Sequence, residues 1–157
     1  METNTKIDEA LAALRLIVLG MIGGVVIFVV IVLAVGNRFE GQPELSSIML
    51  PILVLAAAVA IFVPIVIRRN LIGQARRVID DVSEDENSTE RIIGFVNAYI
   101  IISAAVAEGY GLFATVVYLL TKSVPALLMA VIALALLMKR FPNRSLVDKF
   151  VAEVSSE

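Results

Sequence analysis

The chain has 157 residues, 59% of them hydrophobic and 18% charged, with a formal net charge of −2 and no Cys, His or Trp. That apolar share exceeds the roughly 45–50% of soluble domains, and one domain is the expectation for this length. Without Cys or His the chain has no disulfide, thiolate metal site or cysteine nucleophile, and it lacks the commonest general base; the weak net charge gives no reason to expect a nucleic-acid partner.

The first element follows from an uncharged run, Leu16 to Gly36, long enough to cross a bilayer. In lipid every backbone N–H and C=O must be satisfied within the segment, so the run predicts a helix over about 10–36. Its leader carries Glu2, Asp8 and Glu9 beside Lys6 and Arg15, which fits a retained helix rather than a cleaved signal peptide. Gly20 and Gly24 form a G-x-x-x-G pair that admits a neighbouring backbone, within this chain or between copies.

Leu45 to Ile67 predicts a second helix over about 46–70. Pro51 falls near its start, where proline is tolerated. Pro64 lies deeper and cannot donate to the Ala60 carbonyl, so a bend is expected there. Apolar residues recur with helical spacing over about 71–83, at Leu71, Ile72, Ala75, Val78, Ile79 and Val82. Either the second helix continues beyond the membrane or a short amphipathic helix lies at its surface. Arg68, Arg69, Arg76 and Arg77 are candidates to meet anionic lipid head groups; the alternative is a solvated run whose charges are compensated by the acids that follow.

The third helix is predicted over about 90–121; from Ile92 to Thr121 the only charge is Glu108. The fourth, about 124–140, has a shorter uncharged core between Lys122 and Lys139, whose ammonium groups can reach the interface. Pro142 ends it. An amphipathic segment over about 144–154 follows, with Leu146, Val147, Phe150, Val151 and Val154 on one face.

Orientation follows from Lys and Arg. Placing both termini and the middle loop in the cytoplasm puts eleven basic residues inside and only Arg38 and Lys122 outside. The expected architecture is therefore all-α: a polytopic membrane protein with four transmembrane helices, N-in and C-in, with amphipathic cytoplasmic segments in the middle loop and tail.

Glu108 stands close to the midpoint of the third apolar run. An ionised acid there costs roughly 2.5–3.5 kcal/mol on insertion scales, so a neutral acid or one paired with a cation is expected. Its helical stripe carries Ala104, Ala105, Gly111 and Thr115, with Asn97 further back. Small residues let another helix approach, and Ala105 with Gly109 is one more small-x-x-x-small pair. Two roles are open: an acid that fixes helix packing in a non-enzymatic structural or accessory component, or an acid that binds a proton or cation. No cofactor or metal is expected. The expected partners are the bilayer and a second copy or another membrane protein.

The segment "AAVAEGYGLFATVVYLL", Ala104 to Leu120, resembles the outer helix of the proteolipid c subunits of rotary ATP synthases and ATPases. Those helices carry a mid-membrane acid followed by a Tyr-Gly-Leu-type run, matched here by Tyr110, Gly111 and Leu112. The resemblance implies an ion-binding role for Glu108. The whole pattern, with Glu108-Gly109 in the third helix and Phe141-Pro142 before a short charged tail, also resembles small four-helix bacterial membrane proteins of unknown function. That likeness implies the bacterial cytoplasmic (inner) membrane.

Overall fold

A computed structural model describes residues 2–36, 38–81 and 87–155, with side chains described for 9–36, 38–77, 91, 93–147, 149, 150, 152 and 153. Five helices account for it: α1 (Glu2–Gly36), α2 (Pro43–Asp81), α3 (Asn87–Thr121), α4 (Val124–Lys139) and α5 (Arg144–Ser155). No strand occurs among the described residues. Three helical stretches are long and apolar enough to cross a membrane: Glu9–Gly36, Pro43–Arg77 and Ile93–Thr121. Val124–Lys139 is apolar but shorter.

The central helix is α3. Half of its most apolar stretch (50%) is buried, against 17% for α1 and for α2. It packs against α1, α2 and α4, whereas α1 and α2 share little contact with each other. The seam between α3 and α4 is built from small residues: Ala107, Ala114, Ala126, Ala130 and Ala133 are fully or almost fully buried. Backbones so close leave little room for a side chain. A Cβ on Gly111 would meet Ala133 Cβ at 3.1 Å and Val25 Cγ1 at 3.2 Å, so this glycine lets α1, α3 and α4 converge. The buried hydroxyls turn onto their own helix: Ser103 donates to the Ile100 carbonyl and Thr115 to the Gly111 carbonyl, at 3.0 and 2.8 Å. Neither then needs a partner across the interface.

At one end of the bundle the α1–α2 and α3–α4 connections meet. Gln42 N–H donates to the Leu120 carbonyl at 2.8 Å. Lys122 adopts a left-handed backbone (φ 54), which turns the chain from α3 into α4. Its ammonium donates to the Gly36 carbonyl at 2.5 Å and stands 5.7 Å from the Tyr118 ring centroid. A cation at the last carbonyls of α1 is well placed for the helix dipole. Gly41 fits beneath this lysine; a Cβ there would run into Lys122 Cγ.

At the other end α2 runs unbroken through the amphipathic stretch after Arg69 to Asp81; residues 82–86, where the predicted amphipathic segment ends and three of the following acids fall, lie outside the described residues. There Leu11 and Leu14 of α1, Ala75 of α2, Val96 of α3 and Val147 and Phe150 of α5 form one core. The amphipathic face of α5 thus meets protein. Asn143 accepts the Leu146 N–H on its side-chain oxygen at 2.8 Å and opens α5 as an N-cap. Arg15 Nε donates to the Pro142 carbonyl at 3.2 Å, tying the α4–α5 turn to α1.

Candidate functional site

Glu108 sits halfway along α3 and faces α1. A Cβ built on Gly24 would lie 3.5 Å from Glu108 Oε1, so Gly24 is where α1 makes room for the acid. The side chain is half-buried. Among the described residues no hydrogen bond or ion pair reaches its carboxylate, and no three carboxylates gather where they could hold a metal ion.

The predicted supporting face divides. Ala104, Gly111 and Thr115 are buried beside the α1 and α4 contacts. Ala105 is exposed, and Asn97 lines a small cavity with Ala10 and Leu11 near α5, away from Glu108. The glycines divide likewise. Gly24 meets Glu108, while Gly20 and Gly109 have nothing within 4 Å of a built Cβ.

The exposed positions of α3 share one side. Ile101, Ile102, Ala105, Gly109 and Val116 are all exposed, and at 100° per residue they span about a third of the helix circumference. This face lies between the α1 and α2 contacts. Since α1 and α2 hardly touch, α3 floors a furrow with Ala105 and Gly109 near its centre. On the α2 side, Ile52, Leu55 and Val59 wall an apolar groove of about 380 Å³ that Gly109 and Tyr110 also line. Among the described residues the Tyr110 hydroxyl, which is buried, has no hydrogen-bond partner. The sequence offers Tyr110 as a possible hydrogen-bond donor near Glu108, but nothing local signals that its hydroxyl will lack a partner.

No family model, curated protein or solved structure matches this chain. Its chemistry must therefore be read from the geometry.

The predicted head-group arginines part company. Arg68 pairs with Glu153 of α5 at 2.7 Å, and Arg76 donates to the Glu153 carbonyl at 2.9 Å. Arg69 and Arg77 are exposed. A further partly enclosed cation lies outside that set. Arg140, just past α4, reaches back between α2 and α3, where Nη1 donates to the Ser103 carbonyl and Nη2 to the Ala60 carbonyl, the latter at 3.2 Å. Ala60 is the residue whose carbonyl Pro64 leaves without its i→i−4 donor. The guanidinium replaces the missing N–H.

Proposed function

We propose that this chain is a multi-pass, non-enzymatic component of the bacterial cytoplasmic membrane that receives a helix of another polypeptide, in the simplest case a second copy, along the α3 furrow. The four helices α1 to α4 cross the bilayer with both termini and the α2–α3 connection in the cytoplasm. The Lys and Arg distribution supports that orientation. Lys122 and Lys139 flank the short α4 and let it span.

One observation carries the accessory role: a carboxylate at mid-helix beside an open, small-residue furrow, with no intrachain partner among the described residues. A polar group at that depth is stable when another group or a proton meets it. Ala105 and Gly109 would let a backbone come close.

The test uses the absence of native cysteine. Gly109→Cys in native membranes should cross-link to a dimer on mild oxidation, while Val131→Cys, on the exposed side of α4, should not. Equal cross-linking at both positions, or none at Gly109, overturns the furrow as a self-association face.

A second reading has Glu108 binding a proton or cation, and the room that Gly24 leaves beside Oε1 favours it. A hydrophobic carbodiimide should then label Glu108, with labelling slowed by Na⁺ or by raised pH. Labelling indifferent to both removes this reading.

A further inference from the structure

We propose that the pocket between α2, α3, α4 and α5 binds the phosphodiester head group of an anionic phospholipid, with Arg140 and Lys139 meeting the phosphate. The inference rests on the membrane reading above. The pocket has a volume of about 320 Å³ and is lined by Tyr99, Lys139 and Arg140 together with Ile61, Ile65 and Leu136. That size suits a small ligand or part of a large one.

Charge decides the ligand class. Two of the five N–H donors of the Arg140 guanidinium go to backbone carbonyls. Both acceptors are neutral, so the positive charge itself is unmet: among the described residues no carboxylate is paired with it. Lys139 adds a second cation, and among the described residues no acid lines the pocket. Elsewhere at this end the chain supplies its own anion, as Glu153 does for Arg68. A half-buried guanidinium with spare donors in a fixed plane is suited to a phosphate.

Position decides the source. Lys139 and Arg140 stand where the apolar run of α4 ends. Ile61 and Ile65, one turn apart on α2, are both exposed and line the pocket on its way toward the apolar stretch of the bundle. A phosphate held by the two cations has an acyl chain's path beside it. A free phosphate would leave this apolar track unused. The lipid also completes the arrangement at Pro64, since it neutralises the charge that satisfies the Ala60 carbonyl.

The test is native mass spectrometry of the full chain released from detergent, titrated with dioleoylphosphatidylglycerol or dioleoylphosphatidylcholine. The anionic lipid should be retained with about tenfold higher apparent affinity: both head groups present the same phosphodiester, but choline sets a further cation against Lys139 and Arg140. Lys139→Gln should reduce that preference, and Ile61→Trp, which fills the track, should abolish retention; both leave the Arg140 carbonyl contacts in place. Equal retention of the two lipids, or an unchanged preference in both variants, overturns the proposal. Loss of the bound lipid to millimolar inorganic phosphate would assign the site to a small soluble anion and overturn it equally. Flotation with phosphatidylcholine vesicles after alkaline extraction checks the membrane reading separately: a chain that floats yet shows no anionic preference sinks the lipid site alone.

Discussion

Arg140 donates to the carbonyl of Ala60, the acceptor in α2 that Pro64 cannot serve, at 3.2 Å. A missing backbone hydrogen bond in one helix is thus replaced by a side chain from the far end of another. Losing the donor leaves an enclosed acceptor unmet, so Arg140→Met should lower stability by about 1–3 kcal/mol. In a Pro64→Ala background the helix recovers its own N–H, and the same substitution should cost less by about 1 kcal/mol. A double-mutant cycle from denaturant titrations in micelles measures the coupling; strictly additive losses refute it.

The glycines are not equivalent. Gly111→Ala drives a methyl against Ala133 and Val25 at 3.1–3.2 Å and should destabilise by about 1–3 kcal/mol, the usual range for overpacking. Gly20→Ala meets nothing within 4 Å and should be neutral or slightly stabilising through helix propensity. Thermal unfolding of the two variants side by side distinguishes them.

Lys122 holds the end of the bundle where the two connections meet. Lys122→Met removes the bond to the Gly36 carbonyl and should cost about 1.5–3 kcal/mol, as for hydrogen bonds from charged donors. Gly41→Ala should be worse than a typical surface change, because its Cβ also falls 3.3 Å from the Thr121 backbone carbon. Proteolysis of the α1–α2 connection reports both. Wild-type resistance in either variant contradicts the clamp.

For α5, packing should outweigh the ion pair. Phe150 is 1% exposed, whereas the Arg68 and Glu153 side chains are 39% and 46% exposed. Phe150→Ala should cost about 3–5 kcal/mol and free the tail to hydrogen exchange. Glu153→Gln should change stability by about 1 kcal/mol or less. Exchange rates over 144–155 that respond equally to both reverse this ordering.

How far the sequence discloses the molecule varies by feature. Long uncharged runs disclose the helices, because apolar length and backbone satisfaction leave one solution. Pro64 discloses the orphaned Ala60 carbonyl. It does not disclose Arg140, which lies eighty residues away in sequence and is brought there by packing. The periodicity of Val147 and Phe150 discloses a face but not what the face meets: protein and a lipid surface ask for the same spacing. At Glu108 the stripe reading found Ala104, Gly111 and Thr115, which are buried, and Ala105, which is not. A helical stripe is wider than any one contact, and only the neighbour's position decides where it ends.

That α1 and α2 hardly touch bears on how the molecule is made. The α1–α2 hairpin leaves the ribosome before α3 with little surface of its own to close upon, and each of its arms must await α3 to find a seat. Biogenesis should therefore stall as a loose pair until Thr121 is synthesised, and a nascent chain halted before that point should be the form a quality-control protease removes.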